Sequence, residues 1–267
     1  MYPFFLQGES GQRFCIFHAP ESRPLGAVLY FHPFAEEMNK SRRMAALQAR
    51  SLSKAGYAVL QIDLSGCGDS DGDFADATWE AWLNDGMLGY RWLRQQTDAP
   101  LYLWGLRSGC LLAASFSERL QEKANFVFWQ PVVGGKQHWQ QFMRLKLAGE
   151  IATGGGKEIT ETMKRSLESG QNVEIAGYTV SPQLVDGLRK AELMPKGPVG
   201  KVIWLEVSSR EEASLAPASL PFIEQWKAAG AAVDALVVPG PAFWQTAEIE
   251  DAPTLIDATQ ASIGLAA

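Results

Sequence analysis

Leu101-Tyr102-Leu103-Trp104-Gly105-Leu106-Arg107-Ser108-Gly109-Cys110 is the stretch whose reading decides the fold of this chain. An apolar run that reads as a buried strand meets a glycine, a three-residue tip and a second glycine. That is the G-x-S-x-G frame of a nucleophile elbow, a sharp strand-to-helix turn that lifts one side chain above a sheet. The glycines let strand and helix approach closely around a strained tip residue. Here Gly105 and Gly109 frame Arg107. The alternative frame, centred on Ser108, puts Leu106 and Cys110 where minimal side chains are needed. An arginine at the tip is not a nucleophile, because its guanidinium stays protonated in proteins.

Working outward, strand and helix alternate. Residues 12–18 and 25–31 read as strands, 41–55 as a helix stopped by Gly56, and 57–62 as a buried strand. A loop over 63–70 follows. Residues 78–96 place Trp82, Met87, Tyr90 and Leu93 at helical spacing; 101–104 is the strand of the elbow, a helix runs to about 120, and 126–129 is a strand. This rhythm predicts an α/β protein with a mostly parallel sheet and helices on both faces, and the elbow in it points to the α/β-hydrolase fold. From Gly134 to Val199 the rhythm breaks into helices over 137–147 and 158–169, a hairpin over 172–180 and a helix near Ser181-Pro182. Residues 134–199 are therefore read as an inserted helical cap, and 1–133 with 200–267 as the core. The core resumes with a strand at 201–207, a helix at 217–229, a strand at 232–238 and a helix from Pro253.

Composition narrows the function. A net charge of −6 leaves no basic excess for nucleic acid or an anionic membrane. No apolar run approaches the ~20 residues of a membrane span. Residues 1–7 lack the charged and apolar regions of a leader. Cys15, Cys67 and Cys110 are odd in number and widely spaced, which suits a reducing cytoplasm and forms no metal cluster. The expectation is a cytoplasmic protein without metal or cofactor. Asp69, Asp71 and Asp73 with Glu80 imitate a calcium loop, but Phe74 stands where glycine is required. Gly154-Gly155-Gly156-Lys157 lacks the P-loop spacing and reads as a cap loop.

The triad of this fold runs Ser, acid, His, with the histidine after the last strand. Residues 239–245 contain no histidine, and the chain has only His18, His32 and His138. Trp244 falls in that loop and is expected to plug the vacated position. At the acid position stand Glu211 and Glu212, as acid or as solvated surface. The oxyanion donors would be the N–H groups of Ser108 and Phe34, since Pro33 has none. Two readings of Arg107 stay open: a carboxylate or phosphate pocket at a helix N-terminus, or an ion pair with Glu36 or Glu37. His32 is either a displaced base for Ser108 or a shaper of the oxyanion loop. Cys110 is either an activated thiol or core.

Several segments together resemble the exosortase A system-associated hydrolase 2 family of the α/β-hydrolase superfamily. They are residues 33–44 (PFAEEMNKSRRM), 63–70, Gly105-Leu106-Arg107 and 239–244 (PGPAFW). The resemblance implies a cytoplasmic bacterial protein linked to exopolysaccharide production and sorting of PEP-CTERM proteins, with a possible partner protein in that export system. Three functions are carried forward. One is hydrolysis of an ester or acyl substrate using Ser108 and His32. The second is a catalytically silent protein that holds a small acidic or acyl ligand, or a partner, through Arg107, Phe34, Glu36, Glu37 and Trp244. The third is pure scaffolding.

Overall fold

The structure, a computed structural model, describes residues 1–150 and 156–264, the side chains of 145–150 and 156–159 excepted. Its strands are β1 (Tyr2–Gly8), β2 (Gly11–His18), β3 (Gly26–Phe31), β4 (Tyr57–Ile62), β5 (Leu101–Leu106), β6 (Ala124–Trp129), β7 (Val173–Ile175), β8 (Tyr178–Val180), β9 (Val199–Ser208) and β10 (Ala232–Pro239). Its helices are α1 (Glu36–Lys54), α2 (Trp79–Gln96), α3 (Ser108–Ser117), α4 (Gly135–Glu150), α5 (Gly156–Glu168), α6 (Pro182–Lys190), α7 (Leu220–Ala228) and α8 (Pro253–Gly264). Eight strands form one sheet in the order β1-β2-β4-β3-β5-β6-β9-β10. From β4 to β10 neighbours run parallel, while β2 is antiparallel to both β1 and β4.

Parallel strands covered on both faces read as continuous apolar runs, and every residue of β3 and β5 is buried. The period of two sends Leu29, Leu103, Phe128 and Trp204 to one face, and Val28, Trp104, Trp129 and Leu205 to the other. The first face is covered by α2, α3 and α7 through Trp82, Phe116 and Trp226. The second is covered by α1 and α8 through Met44, Leu52, Leu255 and Ile263. Helix starts follow local chemistry. Thr78 caps α2 by accepting from the Ala81 N–H at 3.0 Å, and Ser181 caps α6 by accepting from Leu184 at 3.1 Å.

Three differences from the sequence expectation stand out. Residues 2–8 form an edge strand whose Phe4 packs on Trp92 at 4.5 Å, although half-exposed edges give little alternation to read. Helix α1 starts at Glu36, five residues early, because Glu36 and Glu37 suit the first turn of a helix. Helix α7 begins at Leu220, after residues 217–219. Between β6 and β9 lie α4, α5, the β7–β8 hairpin and α6; the Gly135 N–H donates to the Ala191 carbonyl at 2.9 Å, joining the ends of this segment. The hairpin turns on Ala176 and Gly177, at φ 50° and 82°. Gly154 and Gly155 lie outside the described residues. No described helix is long and apolar enough to cross a membrane.

One buried ion pair ties the sheet to the loop after β4. Arg13 of β2 meets Asp85 of α2 at 2.6 Å, with side chains 2% and 6% exposed. The other Asp85 oxygen accepts from the Ser65 N–H at 2.7 Å.

Candidate functional site

The site is built on strained turns at the carboxyl ends of three neighbouring strands. Arg107, between β5 and α3, has φ 54° and ψ −120°. Ala35, between β3 and α1, repeats that geometry at φ 51° and ψ −125°. Gln130, after β6, has φ 41°. Such conformations cost about 1–3 kcal/mol each in non-glycine residues, and they cluster where function needs them. The carboxyl ends of the strands are also where open α/β sheets bind ligands. The Arg107 N–H donates to the Trp129 carbonyl at 2.9 Å, and the Arg107 carbonyl accepts from Cys110 at 3.1 Å. A Cβ on Gly105 would lie 2.6 Å from the Cys110 Cα, and one on Gly109 would lie 2.2 Å from the Phe31 carbonyl oxygen. Arg107 is thus the tip, and Ser108 is the buried first residue of α3.

Of the two carboxylates that the sequence offers to Arg107, Glu37 takes it. Arg107 Nε donates to Glu37 Oε1 at 3.0 Å, while Glu36 is exposed. Burial raises the Glu37 carboxyl pKa, against the pull of the guanidinium beside it. Trp244, buried in the loop between β10 and α8, lies with its ring 5.5 Å from Arg107 Cζ, within cation–π range. The aromatic ring therefore stands over the elbow from the loop in which a triad histidine would sit.

Phe34 does not do what the sequence reading offered it, and His32 follows the second of its two readings, shaping the loop after β3. The Phe34 N–H donates to Ser108 Oγ at 2.9 Å, so it is not a free oxyanion donor. His32 Nε2 is 3.3 Å from the Leu64 N–H, and Nδ1 is 2.9 Å from the Pro33 carbonyl. An N–H donor on one side and a carbonyl acceptor on the other require a neutral ring protonated at Nδ1. Burial lowers the His32 pKa in the same direction. With both nitrogens occupied, His32 braces the loop after β3 against the loop after β4, and it is not paired with Ser108. Cys110 is fully buried, with Sγ 3.8 Å from the Trp129 carbonyl, and burial raises its pKa far from thiolate chemistry.

Glu211 and Glu212 are exposed. The buried acid of this region is Glu206, which accepts from Trp204 Nε1 at 3.1 Å, Ser219 Oγ at 2.5 Å and the Ala216 N–H at 2.7 Å. These bonds fasten the segment leading into α7.

His138, which the sequence marks with no partner pattern, is buried beside Phe34. It lies on α4, 5% exposed, with its ring 6.1 Å from that of Phe34. Among the described residues neither ring nitrogen has a hydrogen-bond partner, and neither does Glu37 Oε2. Burial, followed by the charge of Arg107, pushes the His138 pKa down to about 3, so the ring is neutral. The signal lay in Trp139 and Phe142, which mark the buried face of α4 beside it.

With this geometry in place, the chain can be set beside known proteins. The family model Hydrolase_4, described as serine aminopeptidase, S33, matches residues 22–210. Est1E from Butyrivibrio proteoclasticus, solved with ferulic acid bound, superposes with a TM-score of 0.67 at 15% identity over 98% of each chain. A thermostable carboxyl esterase from Bacillus coagulans gives 0.64 at 14% identity, over 98% of this chain and 96% of that one. Protein ABHD12B of Homo sapiens is 32% identical over 97 residues, 36% of this chain and 25% of that protein. The lysophosphatidylserine lipase ABHD12 of Danio rerio is 30% identical over 97 residues, 36% of this chain and 24% of that protein. The chain thus spans about a quarter of the length of these curated relatives.

Proposed function

The chain belongs to the Hydrolase_4 family of α/β hydrolases, and we propose that it is a member that holds a small ligand at the elbow without serine-hydrolase chemistry. The observation that carries this reading is the Arg107–Glu37 ion pair at the tip of the elbow. Nucleophilic catalysis needs a nucleophile and a base within hydrogen-bond reach. Ser108 Oγ accepts from the Phe34 amide, which leaves its O–H in need of a base, but both nitrogens of His32 are engaged elsewhere. The degenerate triad is the form that retains the architecture and abandons acyl transfer.

Residues 134–199 act as the cap in this reading, with His138 as their contribution to the site. Within the family we place the chain in the exosortase A system-associated group, and so in exopolysaccharide production and PEP-CTERM sorting in the bacterial cytoplasm. The support is the 33–44 segment that carries the resemblance. Its Asn39 donates to the Tyr178 hydroxyl, Lys40 to the Ala247 carbonyl, Arg42 to Asp63 and Arg43 to Asp251. One helix start therefore links the elbow, the 134–199 segment, the loop after β4 and the loop after β10. An acidic ligand at Arg107 must displace Glu37, and a partner protein of the export system would dock beside the same segment.

The test is serine reactivity. Incubation with a fluorophosphonate probe followed by intact-mass measurement is expected to give no adduct. An adduct that disappears in Ser108→Ala overturns the proposal and restores an ester or acyl hydrolase.

A further inference from the structure

A cavity of about 180 Å³ lies between α1 and strands β2, β3 and β4, and neither Arg107, Ser108 nor Trp244 lines it. Its walls are largely apolar, with Phe14 and Ile16 of β2, Ile62 of β4, and Met38 and Ala46 of α1. An apolar cavity of about 150 Å³ can hold benzene, so this one has room for a single ring or a branched aliphatic group. One charged pair stands in the lining. Arg42 Nη2 donates to Asp63 Oδ2 at 2.9 Å, and the Asp69 N–H donates to the same oxygen at 3.1 Å, which fixes the carboxylate. The two side chains are 41% and 13% exposed, so the pair sits where the cavity meets solvent. Among the described residues, Asp63 Oδ1 and Arg42 Nε and Nη1 make no hydrogen bond. The other polar residues of the lining, Tyr30, His32 and Gln61, carry no charge. A carboxylate entering alone meets Arg42 but lies beside Asp63, and an amine entering alone meets Asp63 but lies beside Arg42. A zwitterion presents each of its charges to the opposite one.

We propose that this cavity binds a free α-amino acid with an aromatic or branched apolar side chain. The side chain fills the space between Phe14, Ile16, Met38 and Ala46. At the mouth the carboxylate accepts from the unused nitrogens of Arg42, and the ammonium donates to Asp63 Oδ1. The site is apart from the elbow and takes its ligand whether or not Ser108 reacts.

Its test is an NMR titration of the full chain labelled with ¹³C-methyl methionine, whose seven methionines include Met38 in the cavity wall. L-Phenylalanine and L-leucine are expected to shift the Met38 methyl signal saturably and to leave that of Met163 on α5 unmoved. Phenylpropionate, which lacks the ammonium, and phenethylamine, which lacks the carboxylate, should bind about tenfold or more weaker than phenylalanine, the loss of one charged hydrogen bond. Arg42→Gln and Asp63→Asn should weaken phenylalanine binding by a similar factor. Ala46→Leu fills the cavity without altering the charged pair and should abolish the Met38 shift, which keeps the test decisive if a charge variant does not fold. Equal affinity for phenylpropionate or phenethylamine overturns the zwitterion as the ligand class. Saturation that survives Ala46→Leu overturns the site, and silence of Met38 toward all the probes overturns both.

Discussion

Gly109→Ala puts the geometry of the elbow to a direct test. The added Cβ would lie 2.2 Å from the Phe31 carbonyl oxygen and 2.8 Å from that of His32, where real Cβ contacts stay above 3.0 Å. Helix α3 or strand β3 must therefore withdraw by about 0.8 Å. Neither yields easily. The obstructing atoms are backbone, Phe31 is fully buried in the sheet, and all ten residues of α3 are buried. Overpacking a tight core costs about 1–3 kcal/mol, and an obstruction made of backbone belongs at or above the upper figure, ~3 kcal/mol. With a urea slope of about 3 kcal/mol/M, the unfolding midpoint should fall by roughly 1 M. Gly264→Ala is the control, since among the described residues its Cβ meets nothing within 4 Å, and its φ is not positive. Its midpoint should stay near the wild-type value. If Gly109→Ala moves the midpoint by less than about 0.3 M, the close approach, and with it the Arg107 frame, is refuted.

Two further outcomes follow from buried charge. Asp85→Asn strands the Arg13 guanidinium, whose side chain is only 2% exposed, and should cost about 3–5 kcal/mol in urea unfolding. The double variant Arg13→Met/Asp85→Leu should recover most of that loss, and a cost below about 1 kcal/mol for the single variant would contradict the pairing. The pH prediction concerns His138, whose folded pKa of about 3 lies below the ordinary 6.5. Between those values the unfolded chain binds the extra proton, so stability should fall as pH drops through the window, approaching about 1.4 kcal/mol per pH unit from this group. His18 and His32, also lowered, act in the same direction; Glu37, raised, opposes it just above its ordinary 4.5. His138→Phe should flatten the slope, and a His138 ring seen by NMR to protonate near pH 6.5 in the folded protein would refute it.

Much of the architecture was legible because its causes are local. Glycines two residues either side of a tip require a tight strand-to-helix turn wherever they occur, and Gly105 and Gly109 made that turn readable. Apolar runs such as residues 101–104 read as buried strands for the same reason. The edge strand β1 escaped notice because its half-exposed positions carry a weak pattern. The start of α1 was misplaced because the apolar spacing of that helix begins a turn after its acidic first residues. That no histidine follows His138 was also plain.

The chemistry at the elbow was open to sequence only as a choice of partners. Glu36 and Glu37 are adjacent and chemically equal, and only the direction of α1 turns one to solvent and the other to Arg107, 70 residues away in the chain. Phe34 presented an amide that looked free until Ser108 Oγ was seen to accept from it. His138 had no pattern of its own, and the packing of α4 over Phe34 brought it to the site. By itself, then, the sequence determined a strained turn with an arginine at its tip and no triad base after it, because dihedral preference and residue identity are local properties. Only the tertiary structure decided that this arginine is paired with Glu37 and stacked under Trp244. Pairing and burial depend on distances across the sheet, and those exist only once the chain has folded.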